Sequence, residues 1–233
     1  MNKILLETIN LKKNFQHRNG IIQLFNNVNI KIKRGDLIAL VGPSGSGKST
    51  FLHLLALLDD PSSGKILLNN KDTKNFSEVE KDTVRKKNVS IIFQDNNLLN
   101  DFTVLENVMM PLIIKGEKIT IAKKKTEDLL KKVKIYSRKN YFPNELSGGE
   151  QQRVAIARSL ISETEVILAD EPTGNLDYKT SENIFSYFLK LKKLDKAIIF
   201  ATHNRELANK ADYKLSISKG NIKRVNALSN KRV

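Results

Sequence analysis

Four short apolar runs, each ending at a polar residue, dominate the pattern of this chain. They are rich in isoleucine, valine, leucine, alanine or phenylalanine, and they cover Leu37–Val41, Ser90–Phe93, Val166–Ala169 and Ala197–Thr202. Runs this short and this apolar are typical of strands that are buried on both faces, and such strands form parallel sheets covered by helices. The pattern therefore predicts an α/β fold built on a parallel sheet.

The polar residue after each run is the second part of this pattern. Gly42, Gln94, Asp170 and His203 directly follow the four predicted strands. In open α/β sheets, ligands bind outside the carboxyl ends of the strands. We therefore expect these four residues to face one crevice.

Apolar residues recur at other spacings in the segments outside these runs. Leu5–Lys33 alternates between apolar and polar residues and predicts antiparallel strands. Within residues 118–135, Ala122, Leu129 and Val133 recur at a helical spacing, which predicts a lysine-rich helix with one apolar face.

Composition narrows the class of protein. The 233 residues contain no cysteine, so disulfides and thiolate metal sites are excluded, and the chain suits a reducing compartment. The first residues reach Glu7 too soon for the apolar segment of a signal peptide. The apolar runs are too short to cross a bilayer.

The net charge of +15 has two interpretations. It is typical of a protein that binds nucleic acid or a membrane surface, or it reflects the lysine bias of an AT-rich coding sequence. The lysines are spread along the chain, and no patch combines basic with aromatic residues. We therefore attribute most of the positive charge to the lysine bias and part of it to contact with anionic lipid head groups. We expect no nucleic-acid partner.

The segment GPSGSGKST matches the phosphate-loop pattern G-x-x-x-x-G-K-[ST]. Its glycines allow backbone N–H groups to surround phosphate oxygens, and the helix that follows presents its positive end to the anion. We expect Lys48 to reach the β- and γ-phosphates and the Ser49 hydroxyl to bind Mg²⁺. The predicted phosphate-binding residues are Gly42, Pro43, Ser44, Gly45, Ser46, Gly47, Lys48, Ser49 and Thr50.

Acidic and amide side chains at the other strand ends complete a candidate catalytic site. Asp170 suits the Mg²⁺ shell, because hard cations prefer oxygen ligands. Glu171 is placed to polarise an attacking water, and His203 to hold that water and the γ-phosphate in line. Gln94 is expected to bind Mg²⁺ through its amide oxygen and to sense the γ-phosphate.

A second glycine-containing segment, LSGGEQQRVAIARSL, covers residues 146–160. Ser147 and Glu150 have the spacing of a helix capping box. Gly148 and Gly149 would let an anion approach the helix N-terminus closely. The residues alone leave two interpretations open, a well-capped helix and a second anion site.

Taken together and in this order, these motifs resemble the ATP-binding cassette (ABC) ATPases. The resemblance extends from Leu5 to about Arg224. It implies one ATP-binding domain over residues 1–233, with a P-loop, RecA-like core, an antiparallel β subdomain and a helical subdomain at about residues 95–158. It also implies that ATP and Mg²⁺ are the cofactors.

The resemblance resolves the two interpretations of residues 146–160. It implies a head-to-tail dimer with a second copy of the chain, in which Ser147, Gly148 and Gly149 reach the γ-phosphate held by the partner's phosphate loop. The loop that links the two sites would contain Asn175, Leu176 and Asp177.

Two positions depart from the family pattern. Phe15 stands where the family stacks an aromatic ring, more often tyrosine, on adenine; the stacking face is kept and the hydroxyl is lost. Asn204 follows His203 where the family often has aspartate, which would slightly alter this region.

Several segments resemble one branch of the family, which contains lipoprotein-releasing, macrolide-export and cell-division ATPases. The opening residues 1–15 and the run LLNDFTVLENVMMPL are most similar to the lipoprotein-releasing (Lol) ATPase. This resemblance implies an ATPase on the cytoplasmic face of the bacterial inner membrane that drives lipoprotein release towards the outer membrane. The alternatives within the branch are a macrolide-type exporter and a cell-division complex.

Integral membrane subunits are the second partner that the resemblance implies, docking near Leu98–Leu112. We expect apolar side chains of Phe102–Leu112 to be exposed there. Two other classes fit less well. A soluble cassette of translation or DNA repair usually has two cassettes or a coiled-coil insert, and a cassette that only binds ATP would not need Glu171 and His203.

Overall fold

The fold combines two sheets with helices on their faces. The structure, a computed structural model, describes residues 3–18, 20–174 and 176–226. The strands are β1 (Ile4–His17), β2 (Gly20–Lys33), β3 (Leu37–Val41), β4 (Ser63–Leu68), β5 (Lys71–Asp72), β6 (Val89–Ile92), β7 (Val166–Asp170), β8 (Ala197–Ala201), β9 (Tyr213–Ser218) and β10 (Asn221–Asn226). The α-helices are α1 (Lys48–Leu55), α2 (Glu78–Asn88), α3 (Val104–Ile114), α4 (Ile119–Lys132), α5 (Gly148–Leu160), α6 (Tyr178–Lys193) and α7 (Arg205–Asn209).

The central sheet has the strand order β10-β9-β3-β8-β7-β6. Neighbouring strands from β9 to β6 pair in parallel, and β10 adds an antiparallel edge. Strands β7 and β8 are buried along their whole length, which explains why their sequences are apolar without alternation. The predicted parallel sheet is confirmed, although β6 begins and ends one residue earlier than expected.

The second sheet is antiparallel, with the order β2-β1-β4-β5. Strands β1 and β2 form a long hairpin in which His17 pairs with Gly20. Alternating residues of this hairpin are buried, among them Leu11, Phe25 and Ile32. The antiparallel strands predicted over Leu5–Lys33 are therefore confirmed.

Helix α1 packs between the two sheets, and α6 covers the other face of the parallel sheet. The Phe51 ring of α1 contacts Phe25 of β2 edge to face, with 5.7 Å between the ring centroids. On the opposite face, Phe185 of α6 meets Phe200 of β8 in the same geometry at 5.6 Å. The first contact holds α1, and with it the loop that precedes it, against β2, and the second holds α6 against the parallel sheet.

A third apolar cluster joins α3, α4 and α5. It includes Val104 and Val108 of α3, Leu130 of α4 and Val154 of α5, all fully buried. The helix predicted within residues 118–135 is confirmed as α4, and its apolar face belongs to this cluster.

The expectation that the apolar side chains of Phe102–Leu112 are exposed is wrong for three of them. Val104, Val108 and Leu112 are buried in the third cluster, because α3 turns this face towards α4 and α5. Leu99 and Phe102, before the helix, are 44% and 37% exposed. The apolar surface of this segment therefore combines these side chains with Leu105, Met109 and Met110 of α3, which are half-buried.

A capping box starts α3. The Thr103 hydroxyl accepts the N–H of Glu106 at 3.3 Å, and a carboxylate oxygen of Glu106 accepts the N–H of Thr103 at 2.8 Å. The hydrogen bonds that the Glu106 carboxylate accepts, first from the Thr103 hydroxyl and then from the Thr103 N–H, lower the pKa of Glu106 from its ordinary value of 4.5. A carboxyl group whose pKa is lower in the folded protein stabilises the fold above its unfolded pKa and loses that effect in acid.

Replacing Glu106 with alanine is expected to lower the free energy of unfolding at pH 7 by roughly 0.3–1 kcal/mol. The difference from the parent should shrink as the pH falls towards about 3, because the carboxylate is protonated there. Urea unfolding followed by circular dichroism at both pH values measures it. Asp128→Ala, which breaks only an exposed pair with Lys131, is the control. A Glu106→Ala effect that is independent of pH would contradict the role of the carboxylate.

Candidate functional site

The loop between β3 and α1 is shaped to hold an anion. Gly45 and Gly47 have φ values of 74° and 96°, a left-handed conformation that suits glycine. A Cβ on Gly47 would stand 2.9 Å from the Phe25 ring, so a side chain does not fit. No side chain caps the N-terminus of α1 within the described part of the chain. The first N–H groups of α1 are therefore available to a phosphate.

Two side chains of the loop also fit phosphate. The Ser46 hydroxyl is buried and has no hydrogen-bond partner among the described residues. Lys48 is only 8% exposed, and its ammonium donates to the carbonyls of Gly42 at 3.1 Å and Pro43 at 3.2 Å. No carboxylate pairs with Lys48 among the residues described, so its charge is available to a phosphate.

The other strand ends converge on this loop in a pocket of about 500 Å³. Its lining residues are Phe15, Leu24, Ser44, Gly45, Gly47, Lys48, Ser49, Thr50, Gln94, Asp170, Glu171 and His203. The predicted crevice thus brings together residues that are far apart in the sequence. Gly42, Pro43 and Ser46 lie in the same loop but do not line the pocket.

Glu171 and His203 are in direct contact within the pocket. Glu171 Oε1 lies 3.0 Å from His203 Nε2, and the Glu171 side chain is 20% exposed. Glu171 has a φ of 49°, which is unusual for a residue other than glycine and is often found at functional sites. Its N–H donates to the Ala201 carbonyl of β8 at 3.2 Å, which stabilises this conformation. The carboxylate is thereby directed from the end of β7 towards His203.

The oxygen donors of the pocket suit Mg²⁺. Ser49, Gln94 and Asp170 provide a hydroxyl, an amide oxygen and one carboxylate, and Asp170 is 5% exposed. Mg²⁺ is usually bound by one or two carboxylates together with phosphate oxygens and water, so this set fits it. No group of three or more histidine, cysteine or acidic side chains that would hold a metal by themselves occurs among the residues that the structure describes.

An aromatic ring and a leucine form the outer wall of the pocket. Phe15 is 42% exposed, and the Lys13 ammonium lies 5.1 Å from its ring centroid. An exposed ring at this position offers a face on which a flat base can stack. Sequence reasoning missed Leu24, which lies on β2. Its role at the wall depends on the way that β2 packs beside the phosphate loop, and no local motif signals it.

Ser147 and its glycines lie outside this pocket. Ser147 caps α5, its hydroxyl accepting the N–H of Glu150 at 3.3 Å, while a Glu150 carboxylate oxygen accepts the Ser147 N–H at 2.9 Å. The second Glu150 oxygen accepts from the Arg138 guanidinium at 3.0 Å. The backbone bond from Ser147 is the main cause that lowers the pKa of Glu150. Gly148 has open space where a Cβ would stand.

Asp177 also lies outside the pocket. Its carboxylate caps α6 by accepting the N–H of Thr180 at 2.9 Å and the Thr180 hydroxyl at 2.6 Å, and the hydroxyl bond is the main cause that lowers the pKa of Asp177. Leu176 contacts the apolar core under α6, and the prediction for Asn175 falls outside the described residues. Within a single chain, the structure thus does not bring residues 147–149 or Asp177 to the phosphate loop.

Comparisons with known protein families and sequences agree on one group. The ABC transporter family model matches residues 25–174. The lipoprotein-releasing system ATP-binding protein LolD of Legionella pneumophila is 41% identical over 95% of this chain and 98% of its own length. The LolD proteins of Rickettsia bellii and Ehrlichia canis are 44% and 48% identical, over 92% and 84% of this chain.

Solved structures give the same grouping. A dimeric structure of MJ0796, a bacterial ABC transporter cassette, superposes with a TM-score of 0.92 and 35% identity, covering 96% of this chain and 99% of that one. A second dimeric MJ0796 structure, in a post-hydrolysis state with ADP and phosphate bound, also has a TM-score of 0.92. The expected α/β fold with a P-loop core and an antiparallel sheet is confirmed.

Replacing Lys48 with alanine is expected to weaken ATP binding by roughly tenfold or more, because a hydrogen bond to a charged group contributes about 1.5–3 kcal/mol. Fluorescent ATP-analogue titration measures the change. Lys65→Ala is the matched control, since Lys65 pairs with Asp72 on an exposed strand outside the pocket. Parent-like affinity in Lys48→Ala would show that the ammonium does not hold phosphate.

Proposed function

This chain belongs to the ABC transporter family, and we propose that it is the ATP-hydrolysing subunit of a membrane complex that releases lipoproteins from the bacterial inner membrane towards the outer membrane. The observation that supports hydrolysis is the pocket in which the phosphate loop meets Asp170, Glu171 and His203. The observation that supports lipoprotein release is the identity of 41–48% to LolD proteins over most of the chain.

In the proposed reaction, the phosphate loop binds the triphosphate of ATP. The N–H groups at the start of α1 and the Lys48 ammonium neutralise the β- and γ-phosphates. Glu171 orients and polarises the water that attacks the γ-phosphate. His203, 3.0 Å from Glu171, holds that water and the γ-phosphate in line. Phe15 stacks on the adenine ring.

Mg²⁺ is the proposed metal cofactor. Ser49, Asp170 and Gln94 would hold it, and it would neutralise the charge that develops on the phosphate oxygens. The side chains contribute one carboxylate and two neutral oxygens, which leaves coordination positions for phosphate and water. This arrangement explains why Asp170 stays close to the loop at the buried end of β7.

We propose that catalysis requires two copies of the chain in a head-to-tail dimer. Ser147, Gly148 and Gly149 lie outside the pocket of their own chain, at the capped N-terminus of α5, where the space beside Gly148 is open. In the dimer they would complete the site of the partner, and Asp177 would lie in the loop between the two sites. The dimeric structures of the similar MJ0796 cassette support this proposal.

Residues 1–233 would form one ATP-binding domain with a helical subdomain at about residues 95–158. The cluster that joins α3, α4 and α5 supports this division, because it has its own buried apolar core. Membrane subunits would dock near Leu98–Leu112, where Leu99 and Phe102 are exposed. The docking surface would therefore combine the segment before α3 with the half-buried side chains of Leu105, Met109 and Met110 on α3.

The proposed location is the cytoplasmic face of the inner membrane, where the chain would bind peripherally to its membrane subunits. Among the described residues, no helix has the length and apolar character needed to span a membrane. The net charge of +15 would favour contact with anionic lipid head groups.

Glu171→Gln is expected to bind ATP, to slow hydrolysis by about a hundredfold or more, and to accumulate as a dimer, because the water is no longer activated. Phosphate release and light scattering after size-exclusion chromatography measure both effects. Adding Ser147→Arg to the same chain should abolish the dimer, since the bulky cation would block the partner's nucleotide.

Glu182→Gln is the control for this experiment, since Glu182 pairs with Lys210 on the surface of α6. Hydrolysis at the parent rate in Glu171→Gln would assign water activation to another residue. A stable dimer of the double variant would contradict the role of Ser147 across the interface.

Purification of the tagged chain from its own membranes in mild detergent tests the transport assignment. We expect it to recover a membrane subunit with four spans and a large periplasmic domain, together with bound lipoprotein. An importer subunit with six spans would instead indicate nutrient uptake. Ribosomes or DNA without a membrane protein would overturn the transporter assignment and leave only the ATPase.

A further inference from the structure

An arginine of α5 holds the loop that follows β6. The Arg158 guanidinium donates from Nη2 to the Asn96 carbonyl and from Nη1 to the Asn97 carbonyl, each at 2.7 Å. No carboxylate among the described residues pairs with this arginine, and burial lowers its pKa. A desolvated guanidinium needs acceptors for its N–H groups, and here two backbone carbonyls provide them.

The two asparagines have the conformation that this contact requires. Asn96 and Asn97 have φ values of 48° and 46°, and asparagine tolerates this left-handed region better than most residues. Consecutive residues in a helical conformation direct their carbonyls to the same side, whereas those of an extended chain alternate. One planar guanidinium can therefore bind both carbonyls only while the loop keeps this shape.

A second contact fixes the position of α5, and therefore of Arg158, relative to the parallel sheet. The hydroxyl of Ser159, the next residue on α5, donates to the Ile91 carbonyl of β6 at 2.6 Å. The helix is thus attached to the strand and, one residue earlier, to the loop that leaves the strand.

Gln94 lies between these two attachments, two residues before Asn96. Its side chain lines the pocket of the phosphate loop and has no hydrogen-bond partner among the residues described. The direction of its amide therefore depends on the backbone of the loop. That backbone is held at Ile91 and at Asn96–Asn97 by neighbouring residues of α5.

We propose that Arg158 is a positioning residue for Gln94. By binding the two left-handed carbonyls, it keeps the loop in the shape that directs the Gln94 amide towards the Mg²⁺ and γ-phosphate positions. The proposal rests on the proposed function, because it assigns Arg158 to the same ATP site. Arg158 does not line the phosphate-loop pocket, so it would act only through the loop.

The proposal also connects the two glycine segments of one chain. Arg158 belongs to the helix that Ser147 caps, and the α5 N-terminus is the proposed contact with the partner's nucleotide. A displacement of α5 would therefore move the carbonyls that orient Gln94. The state of one site would reach the other through a single helix.

A double-mutant cycle between Arg158 and Gln94 tests the proposal. ATP hydrolysis is measured for the parent, Arg158→Gln, Gln94→Ala and the double variant, with the Mg²⁺ concentration varied. We expect Arg158→Gln to lower kcat by about tenfold or more, since small displacements of positioning groups reduce rates strongly, and to raise the Mg²⁺ concentration needed for half-maximal rate. In the Gln94→Ala background, Arg158→Gln should have no further effect on either quantity.

Arg85→Gln is the matched control. Arg85 lies on α2 and also donates to a backbone carbonyl, that of Leu57. The loop that contains Leu57 contributes no residue to the phosphate-loop pocket. This variant should keep the parent kcat and the parent Mg²⁺ dependence. Thermal melts of all variants identify any loss of folding.

Should Arg158→Gln fail to fold, Arg158→Lys keeps the charge and most of the volume but cannot bind both carbonyls with a planar fork. It should show the same dependence on Gln94 with a smaller loss of kcat. Independent, multiplicative effects of Arg158 and Gln94 on kcat would overturn the positioning role. Absence of ATP hydrolysis in the parent chain would instead refute the proposed function itself.

Discussion

The parallel pairing of β3, β8, β7 and β6 is the constraint on which the rest of the molecule depends. Parallel strands in register bring their carboxyl ends to one edge, and this edge carries the phosphate loop, Asp170, Glu171 and His203. A shift of a buried strand by one residue would move each of its side chains from one core to the other, where the side chains would no longer match the packing. The burial that stabilises the sheet therefore also sets the relative positions of the candidate catalytic groups.

Around that edge, the backbone adopts conformations that most residues avoid. Gly45 and Gly47 adopt positive φ values without strain because they lack a Cβ. Glu171, Asn96 and Asn97 also have positive φ values, which are less favourable for residues that carry a side chain. Each of these three residues makes a specific hydrogen bond. The Glu171 N–H donates to the Ala201 carbonyl, and the Arg158 guanidinium donates to the carbonyls of the two asparagines. Contacts from neighbouring elements thus stabilise the unusual backbone beside the candidate site, whereas positive φ values also occur at residues far from it, such as Asn10 and Lys134.

The two glycine segments have different structural roles within one chain. The phosphate loop leaves its helix N-terminus without a side-chain cap, whereas Ser147 and Glu150 cap the N-terminus of α5. The first is ready to bind an anion in its own pocket, and the second lies outside that pocket, where a second copy of the chain can use it. The small helical unit of α3, α4 and α5 carries this second segment on a core of its own, which the Arg158 contact joins to the parallel sheet.

Local chemistry in the sequence by itself determined the buried strands, the phosphate loop and the capping box of α5, because each depends on residues within one turn or one strand. The sequence also indicated which polar residues follow the strands. The convergence of these residues then follows from the parallel pairing of the strands. Only the tertiary structure decided that Val104, Val108 and Leu112 are buried, that Leu24 forms a wall of the pocket, and that Arg158 reaches across to Asn96 and Asn97. These depend on how elements far apart in the chain pack together, and the periodicity of a single segment does not specify which neighbour covers its apolar face or which carbonyl a distant arginine meets.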